Sequence, residues 1–108
     1  MVALVDSVLV KRASSLIKEK DSTSTPPHLY WIGGQLINST WMWSDENETL
    51  IEWTNWRRSE PNNHGNGEDK IAINKVGLWN DCPSSEKLPF ICSAKIEEGN
   101  QSFIMTSY

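Results

Sequence analysis

Oxygen-bearing side chains are concentrated in three short groups in the second half of the chain, Glu60-Pro61-Asn62, Glu68-Asp69 and Asn80-Asp81. Calcium is bound in proteins by about 6–8 oxygen ligands from carboxylates, amide carbonyls, backbone and water. Zinc would require Cys or His at close spacing, which Cys82 and Cys92 do not supply. Each group alone is an ordinary turn sequence, but their combination predicts a calcium site.

The acidic residues are unevenly distributed along the chain. Segment 44–69 holds seven Asp and Glu against two Arg, a net charge of −5, whereas the whole chain has −4. Such a segment is usually a solvated loop, and it is also where a hard cation would be held. This acidic balance argues against a nucleic-acid-binding protein. No apolar run approaches the roughly 20 residues that span a bilayer, so direct membrane insertion is not expected.

The elements that must position these oxygens predict an α+β fold. Apolar residues in Ser7–Lys20 form one stripe, which predicts a helix with Ser7 as its N-cap. Alternation in KIAIN predicts a strand with Ile71 and Ile73 facing inward. A long polar loop is expected over residues 54–67, and long loops of this kind are usually functional. Short strands are expected at Tyr30–Gly33, Trp41–Trp43, Lys70–Asn74, Leu78–Asn80 and Pro89–Cys92.

The length of 108 residues allows one domain. We expect it to span residues 1–95, followed by a tail without pattern over residues 96–108. Six Trp residues supply much of the apolar surface for a core. Four of them are expected in that core, namely Trp31, Trp43, Trp56 and Trp79, and the placement of two is left open, namely Trp41 and Trp53.

Three N-glycosylation acceptor triplets indicate an extracellular or secreted protein, or the ectodomain of a membrane protein. They are Asn38-Ser39-Thr40, Asn47-Glu48-Thr49 and Asn100-Gln101-Ser102. The apolar start lacks a basic region and a cleavage site, so no signal peptide is expected in this chain.

Taken together and in order, several motifs resemble the C-type lectin family. The resemblance covers roughly residues 3–93 and implies a double-loop α+β fold with short antiparallel strands, a long calcium-binding loop and one remaining flanking helix. The matching segments are Trp31-Ile32-Gly33, Trp41-Met42-Trp43-Ser44-Asp45, Thr54-Asn55-Trp56, Glu60-Pro61-Asn62, Glu68-Asp69, Trp79-Asn80-Asp81 and Leu88-Pro89-Phe90-Ile91-Cys92.

The resemblance also implies a calcium ion that binds sugar directly through two vicinal hydroxyls. The Glu-Pro-Asn order is similar to members that prefer mannose, fucose or N-acetylglucosamine, with glycans or glycoproteins as partners. His64 is either a residue that packs against the sugar ring or an exposed loop histidine. Oligomerisation is compatible with this reading. The implied ligands of both calcium and sugar are Glu60, Asn62, Glu68, Asn80 and Asp81.

The sequence departs from the family pattern in its disulfides. The family's first strand, first helix and first cysteine are missing, which leaves Cys92 without its family partner. Lys70 and Ser84 stand at the two positions of the family's inner disulfide. The residues leave open whether Cys82 is bonded to Cys92 or free.

A second departure concerns the family's auxiliary calcium site. Gly34, Asn38 and Asn63 occupy positions that are acidic in typical sugar-binding members, so we expect one principal calcium.

Three functions remain to be weighed. The leading hypothesis is a calcium-dependent carbohydrate-binding module that is not an enzyme. A second is a degenerate lectin-like domain that binds a protein partner or is inactive. A third is a hydrolase in which Glu60 and Glu68 act as an acid/base pair, which the surrounding amides disfavour.

Overall fold

The computed structural model describes residues 3–4, 6–21, 29–44, 48–62, 67–97 and 100–106, and of residues 20–21, 93–97 and 100–106 the backbone alone. This part of the chain contains one helix and six strands, namely α1 (Ser7–Asp21), β1 (Tyr30–Ile37), β2 (Thr40–Trp43), β3 (Glu68–Ile73), β4 (Trp79–Pro83), β5 (Phe90–Glu97) and β6 (Asn100–Thr106). The sheet order is β4-β3-β1-β5-β6, and β2 pairs with β1 outside this path. The pairs are antiparallel except β1 and β5, which run parallel. The α+β class is confirmed.

The helix α1 is capped one residue earlier than predicted. The backbone N–H of Leu9 donates to Asp6 Oδ1 at 3.0 Å. Asp6 is therefore the N-cap, because its carboxylate satisfies a free amide of the first turn, and the prediction of Ser7 was wrong by one position. The predicted helix itself is confirmed, and its apolar stripe joins the core. The buried residues of this stripe are Val10, Ala13 and Ile17.

The core is a single cluster in which α1 packs with the sheet. Ile71 and Ile73 are fully buried, as predicted, and Ala72 between them is also buried, so both faces of β3 are covered. The largest fully buried side chains of the core are those of Trp43 and Trp79. The remaining four tryptophans are half-buried, namely Trp31, Trp41, Trp53 and Trp56.

The first strand extends past the glycine pair at which it was predicted to end. It continues through Gly34 to Ile37 and then turns back into β2 through two residues. Those residues, Asn38 and Ser39, both have positive φ, at 49° and 65°. Two central residues with positive φ are typical of a type I′ hairpin turn, whose twist matches the flanking strands.

Replacing Ser39 by Gly is expected to stabilise the protein by about 1 kcal/mol, because a left-handed backbone is strained for a residue with a Cβ. The measurement is the midpoint of chemical unfolding. Ser39→Ala is the matched control, since it removes the hydroxyl and keeps the Cβ. Equal midpoints for the Gly and Ala variants would contradict the argument.

The segment after residue 95 differs from the expected tail. Strands β5 and β6 form an antiparallel hairpin whose pairs run from Phe90↔Thr106 to Glu97↔Asn100. The expectation that residues 96–108 carry no regular structure was therefore wrong. The sequence there contains a turn signal, Gly99-Asn100, which was overlooked, but no clear alternation that would mark a strand.

Candidate functional site

The loop that leads to Glu60 is attached to the start of β4. Asn55 Nδ2 donates to the carbonyl oxygen of Gly77 at 2.6 Å. The carbonyl oxygen of Asn55 accepts from the N–H of Trp79 at 2.9 Å, and the N–H of Arg57 donates to the carbonyl oxygen of Trp79 at 2.8 Å. Because β4 begins at Trp79, these bonds hold the loop beside the strand that carries two of the predicted ligands.

The Glu-Pro-Asn segment lies directly against Asp81. The N–H of Glu60 donates to the carbonyl oxygen of Arg57 at 2.9 Å, and the Glu60–Pro61 peptide bond is cis. The backbone N–H of Asn62 donates to Asp81 Oδ1 at 3.0 Å. Asn62 Nδ2 donates to Glu60 Oε2 at 3.3 Å. The structure thus brings three of the predicted ligands together, although they come from two separate parts of the chain.

Negative charge accumulates around Glu60. Burial raises the pKa of Glu60, and the Asp81 carboxylate raises it further through a hydrogen bond and through its charge. The charge of Arg57 lowers this pKa, and that of Glu68 raises it. Neighbouring carboxylates disfavour one another's ionised form, and a bound divalent cation reverses that preference. The electrostatics therefore suit a cation.

Two of the predicted ligands carry buried oxygen atoms that lack a hydrogen-bond partner. In the part of the chain that the structure describes, these atoms are Glu60 Oε1 and Asn80 Oδ1, and Asp69 Oδ1 shows the same deficit. The neighbouring Asp81 is only 2% exposed. Buried polar atoms are nearly always hydrogen-bonded, and a bound ion is one explanation for an exception. Carboxylate and amide oxygens with this deficit fit calcium.

The structure does not bring the whole predicted ligand set into one cage. Among the described residues, no three His, Cys, Asp or Glu side chains lie close enough to hold a metal. Glu68 begins β3 opposite Pro83, with an irregular register before Lys70. Its charge acts on Glu60, and the residue has interactions of its own. His64 lies outside the described residues, so its role and the convergence of all five ligands stay predictions.

Sequence reasoning missed the structural role of Asn55. Its side-chain bond closes a separation of 22 residues, and no local pattern reveals such a partner. It was noted only as the middle of a Thr-Asn-Trp segment. Arg57 is exposed, yet its charge acts on Glu60.

Both cysteines are free thiols. Cys82 lies buried on β4 and Cys92 half-buried on β5. The strands β3 and β1 separate β4 from β5 in the sheet. A Cys82–Cys92 disulfide is therefore not formed, and the alternative that the sequence left open is settled in favour of two thiols.

The two thiols are expected to react at very different rates. Burial and the nearby carboxylates, first that of Glu68, raise the pKa of Cys82 to about 12, and the thiolate is the reactive form. Iodoacetamide at pH 8 should label Cys92 first and Cys82 only after unfolding, as peptide mass spectrometry would show. In the Cys92→Ser variant, fast labelling of the folded protein would contradict this.

Lys70, at one of the two positions of the family's inner disulfide, makes a polar contact with a different strand. Lys70 Nζ donates to Gln35 Oε1 at 3.0 Å, which joins β3 to β1. Lys70 and Ser84 line a cavity of about 140 Å³ together with Trp31 and Ile32. This hydrogen bond joins Lys70 to β1 and not to Ser84, so it does not connect the two disulfide positions.

Little room exists for an acidic side chain at one auxiliary-site position. A Cβ on Gly34 would overlap the side chain of Ile71. Asn38 lies in the hairpin turn, and Asn63 is outside the described residues. These facts agree with the expectation of a single calcium, which stays a prediction.

Comparison with known proteins gives a consistent result. A family model for the lectin C-type domain matches residues 6–94. E-selectin of the rabbit (Oryctolagus cuniculus) is 38% identical over 72 residues, which cover 61% of this chain and 13% of that protein. The chain therefore spans about an eighth of the length of this relative.

Solved structures share the fold. Human lithostathine superposes with a TM-score of 0.67 at 20% identity, covering 100% of this chain and 66% of that one. The C-type carbohydrate-recognition domain of cow CD23, solved in the presence of a GlcNAc2Man3 oligosaccharide, gives a TM-score of 0.56 at 24% identity, covering 76% and 57%. Within the described residues, no helix is long and apolar enough to cross a membrane. With its family-model match, its fold and the position of its Glu-Pro-Asn segment, this chain belongs to the C-type lectin domain family.

Proposed function

We propose that this chain is a calcium-dependent module for neutral sugars with vicinal hydroxyls, of the mannose, fucose and N-acetylglucosamine type. Members of the family bind carbohydrate, generally with calcium, and are not enzymes. The observation that carries the proposal is the contact between Asn62 and Asp81, beside the buried unpartnered oxygens of Glu60 and Asn80. Glycans or glycoproteins would be the partners, in an extracellular setting like that of the selectin relatives.

The side chains that would hold the ion are those predicted from the sequence. Calcium, when bound, would supply open coordination positions for two sugar hydroxyl oxygens. The side chains of the site would also bind the sugar directly. Their carboxylates accept hydrogen bonds from these hydroxyls, and their amide NH₂ groups donate to them. The bond from Asn62 Nδ2 to Glu60 Oε2 already places a donor beside an acceptor. The proposed ligands are Glu60, Asn62, Glu68, Asn80 and Asp81.

Charge and donor order support neutral ligands of the mannose type. Three carboxylates around a divalent cation leave a net charge near −1, which disfavours anionic ligands. The Glu-Pro-Asn order is similar to that of family members that prefer sugars with equatorial vicinal hydroxyls. A domain of the same fold is known with a mannose-containing oligosaccharide, which supports the proposal at the level of the fold. His64 is proposed to pack against the ring.

The test is retention on immobilised mannose. Retention in millimolar calcium, elution by EDTA and weak retention on galactose resin are expected. Retention that survives EDTA would overturn the proposal for calcium, and equal retention on both resins would overturn it for specificity.

A second candidate function is a lectin-like domain that binds a protein partner. The observation in its favour is that Lys70 and Ser84 stand at the two positions of the family's inner disulfide, a departure from the family pattern. Calorimetry separates the two: heat on calcium addition without any response to mannose would favour the protein-binding candidate.

Sugar binding should be lost on acidification, because calcium requires deprotonated ligands. The pKa of Glu60 is raised in the calcium-free protein, so protons compete with calcium at a pH above the ordinary carboxyl range. Without calcium, the ionised form of Glu60 is thus disfavoured. Calcium binding requires that same ionised form. Mannose-resin retention measured between pH 7 and 4 should fall steadily. Unchanged retention near pH 4 would contradict a carboxylate site.

A further inference from the structure

The tip of the β1–β2 hairpin is an exposed turn with an unusual sequence. Ile37 and Thr40 form its last cross-strand pair, and Asn38 and Ser39 make the turn. Asn38, Ser39 and Thr40 are all exposed. Both central residues of the turn have positive φ, and the exposure of Asn38 leaves its side-chain amide open to solvent.

These three residues form an Asn-x-Ser/Thr triplet, the acceptor pattern for N-linked glycosylation. Such a glycan is bulky and requires a surface position. Of the other two triplets, the one at Asn47 begins outside the described residues, and the one at Asn100 begins inside β6, paired with Glu97. The triplet at Asn38 is therefore the one whose three residues the structure describes as exposed.

We propose that Asn38 carries an N-linked glycan when the chain passes through a secretory compartment. The co-reactant is a polyprenyl-diphosphate-linked oligosaccharide. The Asn38 Nδ2 atom forms a bond to the anomeric carbon, the bond from that carbon to the diphosphate oxygen breaks, and the amide loses one proton. The inference rests on the extracellular setting of the proposed function but not on sugar binding.

The glycan would stand at the same end of the sheet as part of the candidate site. Gln35 near the end of β1 pairs with Lys70 near the start of β3, and β3 begins at Glu68. Neighbouring strands lie about 4.8 Å apart, so β1 is roughly 10 Å from β4 across β3. The turn shares no residue with the proposed ligands. Removing the glycan should therefore leave the calcium response unchanged.

The test is expression of the full chain behind an added secretion signal in mammalian cells, followed by intact-mass measurement of the secreted protein. Treatment with a peptide N-glycosidase in ¹⁸O-labelled water marks each occupied Asn. The expected result is a marked Asn38, with one glycan mass lost in Asn38→Asp, a variant whose residue type tolerates the turn's backbone. Thr40→Val should lose the same mass, whereas Thr40→Ser should retain it.

Asn47→Gln and Asn100→Gln are the matched controls, and both should keep the label on Asn38. An unlabelled Asn38 in the secreted protein, or labelling confined to Asn47 or Asn100, would overturn the proposal. A calcium titration followed by tryptophan fluorescence is run on the same samples. Loss of the calcium response with Asn38 labelled would count against the proposed function alone.

Discussion

Replacing Glu60 by Gln is expected to raise the melting temperature of the calcium-free protein while reducing its calcium affinity by more than about 100-fold. The two effects have opposite signs because the negative charge of Glu60 destabilises the calcium-free protein and stabilises the calcium-bound one. A carboxyl whose pKa is raised by folding stabilises the fold below its unfolded pKa, and this contribution is lost as pH rises through the folded value. At neutral pH the ionised Glu60 therefore destabilises the calcium-free protein, and a neutral amide relieves this.

The expected loss of affinity follows from the ligand chemistry. Even the outer partners of metal ligands typically contribute 10- to 100-fold to affinity, and a direct carboxylate ligand should contribute more. Asp81→Asn should also reduce calcium affinity strongly, while its Oδ1 can still accept from the N–H of Asn62. Glu52→Gln is the matched control, because Glu52 is an exposed carboxylate of the same acidic segment.

Differential scanning fluorimetry with EDTA and with calcium measures both effects on one sample. The wild type should show a calcium-dependent rise, which reaches about 2.7 kcal/mol at a calcium concentration 100 times the Kd. The Glu60→Gln variant should have a higher melting temperature in EDTA and show little increase on calcium addition. The Glu52→Gln variant should match the wild type in both conditions. If the Glu60→Gln protein keeps the full calcium-dependent rise in melting temperature, Glu60 is not a calcium ligand.

Replacing Trp79 by Ala is expected to remove most of the protein's stability. Trp79 is fully buried and its ring contacts three others, with centroids 5.6 Å from Trp43 and 5.9 Å from Trp53 and Trp56. Truncating a buried Trp to Ala typically costs about 3–5 kcal/mol, against a total of about 5–15 kcal/mol for a domain. For a domain of this size the melting temperature should fall by roughly 12 °C or more.

A graded series separates packing from polar effects at this position. In the described part of the chain Trp79 Nε1 has no hydrogen-bond partner, so Trp79→Phe loses volume and ring contacts but no hydrogen bond. It should fall between wild type and Trp79→Ala. Trp53→Ala is the control, because Trp53 is only half-buried and touches the edge of the cluster. Equal melting temperatures for Trp79→Ala and Trp53→Ala would contradict the central position of Trp79.

The fold was predictable where one pattern dominates locally. The apolar stripe of α1 and the alternation around Ile71 and Ile73 identified their elements, because burial on one face imposes a clear period. The β1–β2 turn was missed, since Asn38-Ser39 lacks the glycine that usually marks a type I′ turn. Strand β6 was missed because its sequence lacks a clear alternation, although Gly99-Asn100 before it is a turn signal that could have indicated the hairpin with β5.

The candidate site was predictable in its residue types and only partly in its geometry. The oxygen chemistry of Glu60, Asn62 and Asp81 pointed to a cation before any contact was known, and the structure brings these three together. The hydrogen bond from Asn55 to Gly77 was not predictable, because hydrogen bonds between distant segments depend on the folded backbone. The cap at Asp6 was missed for a smaller reason, since neighbouring Asp and Ser are both good caps.

The most direct measurement of the central claim is a calorimetric titration of calcium into the protein at neutral pH, with and without mannose. We predict one calcium per chain, a higher calcium affinity when mannose is present, and loss of this binding in Asp81→Asn. Mannose must raise the calcium affinity by the same factor by which calcium raises the mannose affinity. A folded protein that gives no binding heat and no thermal stabilisation in millimolar calcium would contradict the account.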